Sequence, residues 1–465
     1  MARVVAGAHR GSLDPLKHSE PLGGALVFLG LHRTMPVLHG SKGCASFAKA
    51  LLTRHFREAV PMQTTAVTEV DAVLGTEQLL AATLDAIAAK QRPEIIGLLT
   101  TGLTEISGQD LQGDLRAYRE RRGDGPLVVE VSTPDFRGGL SQGWSAALEA
   151  LVRAVPLDAG PGVGPGAGTP VAVLVGPTLV AADLDELRDL FTAFGCDPIL
   201  VPDLSGSLDG HLDDAWSPVT SGGTSLADLR RLGTCPLVVS IGTAARAAAD
   251  ALAVRTGARV LHHRHLTGLA AVDGLVADLL IGAPPARVAR ARARLADGLL
   301  DAHFVLGGAR VAVAGEPDLL AAAVELLHGV GAEVVAAVSP TDAPVLAGLP
   351  CAEVVVGDLA DLEDRAREGG AELVLGSGHA RAAARRVGAA HLTLGFPAHD
   401  RLGSQLRSAA GYAGSLRLVV DCANALLEHH ETRPTPARAA SRAPSDAIRS
   451  SDVTAADRAP ANGRR

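Results

Sequence analysis

The sequence predicts an α/β protein with three Rossmann-like domains, mostly parallel sheets and a disordered C-terminal tail. The 465 residues exceed what one core usually serves, because a domain typically takes about 100–200 residues. Short apolar runs typical of buried strands alternate with segments of helical spacing, as in βαβ units. This alternation restarts twice, first after a stretch rich in Gly and Pro and again near residue 309.

The composition argues against several classes of protein. Hydrophobic residues make up 47% of the chain and aromatic residues only 3%, so the cores must consist largely of Ala, Val and Leu. The formal net charge of −8 argues against a nucleic-acid partner, which requires concentrated Lys and Arg. No apolar run reaches the ~20 residues of a membrane-spanning helix, and residues 1–10 lack the pattern of a secretory signal. We therefore expect no membrane association.

The cysteines indicate a reducing compartment. There are five, odd in number and widely scattered: Cys44, Cys196, Cys235, Cys351 and Cys422. Such a set is not a disulfide framework, so a cytoplasmic location is expected. No CxxC pair is present, so the chain shows no self-contained zinc or ferredoxin site.

Residues 1–156 are predicted to form the first domain. Its predicted helices lie at residues 20–29, 44–56 and 77–89, and its strands at 35–38, 94–100 and 127–132. Residues 157–170, LDAGPGVGPGAGTP, contain too much Gly and Pro for a helix or strand and are predicted to be a linker. Gly162, Gly164 and Gly166 resemble a phosphate loop, but they do not lie between a strand and a helix, which argues against a dinucleotide site.

The second and third domains are predicted at residues 171–300 and 301–430. Strands at 171–175 and 235–241 and a helix at 183–194 mark the second domain. The third has strands at 310–314, 333–338, 353–356 and 372–375 and helices at 317–329 and 359–367, while residues 286–300 form a connecting helix. Residues 431–465 contain no aromatic residue and little hydrophobic pattern, so we expect a disordered tail.

The loop at residues 38–44, LHGSKGC, is the strongest candidate for chemistry. It ends an apolar strand and opens a helix, and ligands of open α/β sheets lie at such carboxyl ends of strands. Gly40 and Gly43 allow a sharp turn and a close approach to a ligand. Cys44 would lie near the helix N-terminus, where free N–H groups and the helix dipole favour the thiolate that a soft metal cluster binds.

Other interpretations of Cys44 remain open. A free cysteine is often a packed core residue, and spacing alone does not separate that role from a ligand role. A catalytic nucleophile is less favoured, because neither His39 nor His55 completes a local signature of a cysteine hydrolase. An iron–sulfur cluster needs about four ligands, and the chain offers one well-placed cysteine. Either Cys44 binds no cluster, or a second polypeptide completes the ligand shell at a subunit interface.

Other polar motifs have simpler interpretations. In the loop 100–110, TTGLTEISGQD, we interpret Thr104 and Ser107 as helix caps. Only His263 and His265 share a face of their extended segment, and His262 lies on the other, which disfavours a metal site there. His39 is interpreted as a hydrogen-bonding loop residue.

A set of ordered motifs carries a family resemblance. The motifs are 21–24 (PLGG), 35–44 (MPVLHGSKGC), 54–59 (RHFREA), 100–105 (TTGLTE), 132–136 (STPDF), 142–144 (QGW), 292–303 (RARLADGLLDAH), 310–317 (RVAVAGEP), 394–403 (LGFPAHDRLG) and 411–414 (GYAG). Together they resemble the β-type subunits of the nitrogenase component 1 family, from about Asp14 to about Glu428. The resemblance implies three α/β domains per subunit, which agrees with the three blocks above.

Cysteine positions separate two branches of that family. By motif position, the three P-cluster cysteines of the catalytic β subunit fall at Ser19, Cys44 and Gly102, and only the middle one is a cysteine here. Ser19 is interpreted as a helix N-cap before Pro21, and Gly102 has no side chain to bind metal. The chain thus resembles the cofactor-assembly branch, whose β-like subunits keep only that cysteine.

The resemblance implies a non-catalytic subunit of the scaffold on which the iron–molybdenum cofactor of nitrogenase matures. It implies a NifE-type α partner in an α2β2 heterotetramer, with Cys44 as one ligand of a shared [4Fe-4S] cluster and Gly40, Ser41 and Gly43 shaping its pocket. The complex would hold the cofactor precursor donated by NifB and would receive the Fe protein, NifH. Alternatives are a catalytic β-type subunit of a nitrogenase or nitrogenase-like reductase, and a metal-free protein that binds a small molecule.

Overall fold

The computed structural model describes residues 1–8, 13–123, 125–160, 168–211, 215–280 and 282–432. These residues form the strands β1 (Arg3–Ala6), β2 (Thr34–His39), β3 (Gln63–Thr64), β4 (Ile95–Thr100), β5 (Leu127–Val131), β6 (Thr169–Val175), β7 (Cys196–Val201), β8 (Leu237–Ile241), β9 (Arg259–His263), β10 (Arg310–Ala314), β11 (Glu333–Ser339), β12 (Glu353–Val356), β13 (Leu373–Gly376) and β14 (Ala390–Thr393).

The same residues form the α-helices that cover these strands. They are α1 (Glu20–Leu29), α2 (Lys42–Phe56), α3 (Glu69–Leu74), α4 (Glu77–Lys90), α5 (Gly102–Ile106), α6 (Leu111–Arg122), α7 (Leu140–Ala154), α8 (Ala181–Ala193), α9 (Leu226–Arg231), α10 (Arg246–Thr256), α11 (Leu269–Leu279), α12 (Ala286–Leu306), α13 (Pro317–Gly329), α14 (Leu359–Glu368), α15 (Ala380–Val387) and α16 (Gly411–Thr432). Among the described residues, none of the helices combines the length and the apolar character that crossing a membrane requires.

The strands form three parallel sheets, which confirms the predicted fold class. Their orders are β3-β2-β4-β5, β7-β6-β8-β9 and β1-β12-β11-β10-β13-β14. Every pairing between these strands is parallel. All six residues of β2 and of β4 are buried, as expected for strands covered on both faces of a sheet.

Local sequence signals predict both ends of two helices, α1 and α13. Helix α1 begins at Glu20 with Pro21 in its first turn, and Gly30 follows its last residue. Helix α13 begins at Pro317, whose missing N–H costs nothing in a first turn. Both helices have the predicted bounds, because proline and glycine mark the ends of a helix through backbone chemistry alone.

The N-terminal strand lies in the third sheet. The sequence assigned residues 1–156 to the first domain, but β1 pairs in parallel with β12, from Arg3 opposite Glu353 to Ala6 opposite Val356. The apolar run of β1 thus extends the edge of a sheet whose other strands lie more than 300 residues further along the chain. A pairing over that distance leaves no local signal in the sequence.

The expected boundary between the second and third domains falls inside a helix. The connecting helix was predicted at residues 286–300, and α12 continues to Leu306. Leu295, Ala302 and Leu306 are buried along one face of α12, and α12 packs against α16. This contact explains why the helix extends beyond the predicted boundary.

Two other predicted segments are only partly described. Strand β6 begins at Thr169, inside the predicted linker 157–170, while residues 161–167 with Gly162, Gly164 and Gly166 lie outside the described residues. Helix α16 continues to Thr432, two residues into the segment predicted as the tail. Residues 433–465 lie outside the described residues.

The first domain packs on the second through α7, which contacts α10. Within the first domain, α1 and α7 cross at glycines, because a Cβ at Gly23 would collide with the carbonyl oxygen of Leu140 and one at Gly143 with that of Glu20. On α7, the Trp144 indole N–H donates to the carbonyl oxygen of Val175 at 2.8 Å, at the end of β6. The two domains thereby share one continuous hydrophobic core.

Candidate functional site

The loop between β2 and α2 places Cys44 at the surface. Strand β2 ends at His39, and α2 begins at Lys42, so Cys44 is the third residue of the helix. Its side chain is exposed and forms no disulfide. The position near the helix N-terminus agrees with the expected one, and the exposure argues against a packed core cysteine.

The other four cysteines lie in different environments. Cys196 and Cys351 are half-buried, while Cys235 and Cys422 are buried. Burial raises the pKa of each of these four thiols, that of Cys235 to about 12. A high pKa disfavours the thiolate that a metal requires. Cys44 is exposed, so it is the cysteine most accessible to a metal ion or cluster that binds at the surface of this chain.

Ser41 directs its hydroxyl to the sulfur of Cys44. It occupies the N-cap position of α2, but its side chain makes no cap hydrogen bond. Instead, Ser41 Oγ lies 3.5 Å from Cys44 Sγ. A hydroxyl at this distance can donate a hydrogen bond to a thiolate.

The two glycines of the loop have different roles. Gly40 is buried, and a Cβ there would lie 2.7 Å from Thr101 Cγ2 and closer still to the Thr101 hydroxyl. Gly43 is exposed, and an added Cβ would meet only Ser41 Oγ, at 3.8 Å. Gly40 is therefore required by packing within the chain, whereas the space beside Gly43 is open to a ligand or partner.

The loops after β2 and β4 are joined at His39. The Thr101 and Thr104 hydroxyls both donate to the His39 carbonyl oxygen, at 3.1 and 2.9 Å. The His39 ring is buried, with Nδ1 3.0 Å from Thr65 Oγ1 and Nε2 3.2 Å from Thr76 Oγ1. Burial lowers the pKa of His39 to about 4. His39 is thus a hydrogen-bonding residue of the loop, as predicted.

The three positions compared with P-cluster cysteines lie along one edge of the first sheet. Gly102 begins α5 directly after Thr101, and its nearest neighbour for an added Cβ is the Pro134 carbonyl oxygen at 3.6 Å. The next residue, Asp135, accepts a hydrogen bond from the Glu20 N–H at 3.2 Å, beside Ser19. Ser19 occupies the predicted N-cap position, but its side chain makes no cap hydrogen bond.

Neither Thr104 nor Ser107 is the N-cap of a helix, so the N-caps predicted in the loop 100–110 were wrong. Thr101 is the N-cap of α5, and its N–H donates to the Thr104 hydroxyl at 3.0 Å. Ser107 follows the last residue of α5, and Asp110 caps the next helix. The prediction missed that a helix can begin immediately after the buried strand.

Exposed apolar side chains surround this edge of the sheet. We define the apolar rim as the large exposed hydrophobic residues that follow the carboxyl ends of β2, β3, β4 and β5: Phe47, Val70, Val73, Leu74, Leu103, Ile106 and Phe136. Carboxyl ends of parallel strands meet at one edge of a sheet, so these residues lie on the same side of the domain as Cys44. The sequence analysis missed this surface, although Phe47 lies off the buried face of its helix. Several large exposed hydrophobic residues on one side of a domain are typical of a protein interface.

The histidines near residue 263 bind separate carboxylates. His262 Nε2 lies 3.1 Å from Asp250, and His263 Nε2 lies 3.3 Å from Asp278. His265 Nε2 lies 3.0 Å from Glu325. In the part of the chain that the structure describes, no group of three or more His, Cys, Asp or Glu side chains could hold a metal ion.

Comparison with known proteins gives consistent matches over nearly the whole chain. Residues 19–427 match the family described as Nitrogenase component 1 type Oxidoreductase. The Nitrogenase iron-molybdenum cofactor biosynthesis protein NifN of Rhodobacter capsulatus is 41% identical over 445 residues, covering 93% of this chain and 95% of the relative. Its counterpart of Klebsiella pneumoniae is 35% identical over 426 residues, covering 90% and 92%. A solved chain described as Nitrogenase Cp1 at pH 6.5 superposes with a TM-score of 0.86 at 27% identity, covering 93% of this chain and 97% of that chain.

Proposed function

Since the chain belongs to the nitrogenase component 1 family, in the branch named NifN, we propose that it is a scaffold subunit in assembly of the nitrogenase iron–molybdenum cofactor. The observation that carries this proposal is a single exposed cysteine beside an apolar rim. An iron–sulfur cluster takes about four cysteine ligands. One thiol of this chain therefore serves a cluster only where a second polypeptide supplies the remaining ligands.

The proposed partner is a NifE-type α subunit that contributes three cysteines to a shared [4Fe-4S] cluster. The apolar rim supports a stable contact at this edge, since Phe47 is 81% exposed and Ile106 is 77% exposed. Such side chains are buried at a low cost when another subunit covers them. We propose that two such pairs form an α2β2 heterotetramer.

The residues present fit a shared cluster. Cys44 offers an exposed sulfur, the neighbouring Gly43 leaves open space, and the Ser41 hydroxyl lies within reach of that sulfur. When bound, such a cluster supplies one-electron transfer. Cys44 would hold one iron, Ser41 would donate a hydrogen bond to the ligand sulfur, and the apolar rim would exclude water from the contact.

In the proposed scaffold role, other proteins carry out further steps of cofactor assembly. We propose that NifB donates the cofactor precursor, that the complex holds it mainly in the α-type partner, and that the Fe protein NifH docks on the assembled complex. The free cysteines of this chain fit the reducing cytoplasm as the compartment. In this scheme the chain carries no catalytic residue of its own.

The test is the iron content of the anaerobically purified complex, after co-expression with a three-cysteine partner. The complex should contain a four-iron cluster, and Cys44→Ala should lose most of its iron and its cluster spectrum. Cys196→Ala is the matched control, because this half-buried cysteine lies in β7 of the second domain. Equal iron content in the two variants would contradict the ligand role of Cys44.

A second candidate function is a catalytic β-type subunit of a nitrogenase or nitrogenase-like reductase. The close superposition on a solved nitrogenase chain favours it. Ser19 and Gly102 disfavour the dinitrogen-reducing form, since neither offers a thiol for an eight-iron cluster. Assays of substrate reduction with an added Fe protein separate the two functions, because a scaffold turns over no substrate.

A further inference from the structure

Helix α2 carries Cys44 in its first turn and His55 in its last turn. The two residues are separated by about three full turns, which is roughly 16 Å along the helix axis. Because three turns return to the starting direction, Cys44 and His55 lie on nearly the same face of α2. A short helix moves as a rigid body, so a displacement at His55 reaches Cys44.

The His55 ring contacts a loop of the third domain. Its Nδ1 accepts a hydrogen bond from the Ala398 N–H at 3.0 Å, and the side-chain amide of Gln405 lies 2.7 Å from its Nε2. The Phe396 ring meets the imidazole edge-on, with 4.6 Å between the ring centroids. These three residues follow β14, an edge strand of the third sheet. A helix of the first domain is therefore bonded to the third domain at its last turn.

The protonation state of His55 suits these contacts. The residue is 7% exposed, and burial lowers its pKa to about 3. The ring is therefore neutral at physiological pH, and a neutral imidazole has one nitrogen that accepts and one that donates. Ala398 supplies an N–H to the first nitrogen, and Gln405 faces the second. An apolar side chain in place of His55 would lose both contacts.

Arg57 adds a second contact at the same end of α2. It directly follows the last helical residue, with a left-handed φ of 64°, and its N–H donates to the Thr53 carbonyl oxygen at 2.9 Å. Its guanidinium donates to the His399 carbonyl oxygen, also at 2.9 Å. The side chains on both sides of Phe56 thus bind the loop that follows β14.

The Cys44 end of α2 is held less firmly. Lys42, Gly43 and Cys44 are exposed, and within the described chain the Ser41 side chain makes no cap hydrogen bond. The first buried residue of the helix is Ala45, whose small side chain offers little area for packing. The contacts at the far end of α2 therefore contribute most to the direction in which the helix points.

We propose that His55 is a positioning residue for Cys44, which fixes α2 to the third domain and so directs the Cys44 sulfur towards the subunit interface. Because this role rests on the proposed function, it assumes that Cys44 binds iron there. Groups of a functional site must be held within about 0.5 Å of their productive geometry. Over roughly 16 Å of helix, a tilt of about 5° already moves the sulfur by about 1.4 Å.

This role explains two motifs outside the cysteine loop. The segment 54–59, RHFREA, supplies His55 and Arg57, and the segment 394–403, LGFPAHDRLG, supplies Phe396, Ala398 and His399. The two motifs are more than 300 residues apart in the chain and meet at the end of α2. Together they connect the position of the third domain to that of the exposed cysteine.

The cluster of the anaerobic, co-expressed complex reports on this role. His55→Leu should keep the cluster but change its electron paramagnetic resonance spectrum, and an iron chelator should remove its iron about tenfold faster, as when a group that orients a metal ligand is lost. His55→Asn should stay within about twofold of the wild-type rate, because the Asn oxygen can accept from the Ala398 N–H in place of Nδ1.

His265→Leu is the matched control. The His265 ring has the same pattern of contacts, since its Nδ1 accepts from the Thr267 N–H at 3.3 Å and its Nε2 lies 3.0 Å from Glu325. The residue is 8% exposed and follows β9 in the second domain, away from α2. His265→Leu should therefore lower the thermal midpoint much as His55→Leu does, but leave the spectrum and the rate of iron loss unchanged.

Gln405→Leu tests the same contact without altering α2, in case His55→Leu fails to fold. It should change the spectrum and the rate of iron loss in the same direction as His55→Leu. Wild-type behaviour of the cluster in both variants would overturn the positioning role, as would an equal change in His265→Leu. Either result, together with cluster loss in Cys44→Ala, leaves the ligand role of Cys44 intact. Unchanged iron in Cys44→Ala would instead overturn the ligand role, and the positioning role with it.

Discussion

The hydroxyl oxygen of Ser41 lies 3.5 Å from the sulfur of Cys44, across the first turn of α2. A serine at an N-cap usually accepts a hydrogen bond from a backbone N–H, and Ser41 makes no such bond. The hydroxyl is therefore available to the sulfur. A hydrogen bond from Ser41 to the Cys44 sulfur would affect the reduction potential of a cluster bound there.

Ser41→Ala should make the reduction potential of the proposed cluster more negative. A hydrogen bond to a ligand sulfur stabilises the reduced, more negatively charged cluster, so its loss favours the oxidised form. A redox titration of the complex followed by electron paramagnetic resonance measures the midpoint potential. Ser46→Ala is the control, because the Ser46 hydroxyl donates to the Lys42 carbonyl oxygen on the same helix. The same potential in both variants would argue against the Ser41 hydrogen bond.

Phe47→Asp should weaken association with the α-type partner about tenfold or more, without unfolding the chain. The Phe47 side chain is 81% exposed, so a charge there costs the free chain little, but a buried interface would have to desolvate it. Co-purification and size-exclusion chromatography measure the association. Val254→Asp in α10 is the control, since Val254 is 87% exposed on the second domain. Equal association of both variants would place the interface elsewhere.

Gly40→Ala should destabilise the chain by about 1–3 kcal/mol, as an overpacked site does. Its added Cβ would lie 2.7 Å from Thr101 Cγ2, and Thr101 is held by its hydrogen bond to His39. Gly43→Ala should leave stability unchanged or slightly improved, since the nearest atom lies at 3.8 Å and alanine suits a helix better. The free energy of unfolding in urea measures both. Similar losses in the two variants would show that Gly43 is also confined.

The contribution of His39 to stability should fall as the pH drops below about 6.5. Burial lowers the pKa of His39 from 6.5 to about 4, so between these values the unfolded chain binds a proton that the folded chain does not. Stability from this group is therefore present above pH 6.5 and lost towards pH 4, by about 2 kcal/mol for His39 alone near pH 5. Burial lowers the pKa of His18 to about 4 and that of His55 to about 3, which adds losses of the same sign.

Urea unfolding between about pH 5 and pH 7 measures this dependence. His39→Gln should reduce the slope of stability against pH. Without this histidine, the unfolded chain takes up one proton fewer in this pH range, and the folded chain is unchanged in this respect. His328→Gln is the control, because that side chain lies exposed near the end of α13. An unchanged slope in His39→Gln would show that this ring does not contribute to the acid sensitivity.

Local sequence patterns were sufficient to predict most helices and strands. The bounds of α1 and α13 follow from proline and glycine at their ends, and β10 and β12 follow from short apolar runs. The Cys44 loop was also found from its local context, a buried strand followed by glycines and a helix. Each of these signals involves neighbouring residues, whose spacing is directly visible in the chain.

Contacts between distant segments decided the remaining features. Strand β1 joins a sheet more than 300 residues away, and α12 extends to Leu306 along its contact with α16. The exposure of Cys44, the steric need for Gly40 beside Thr101 and the hydrogen bond from Ala398 to His55 likewise depend on what folds against them. Periodicity and turn chemistry specify which element a segment forms, because they act between neighbours. Burial and hydrogen-bond satisfaction are sums over the surrounding structure, so they emerge only when the domains pack together.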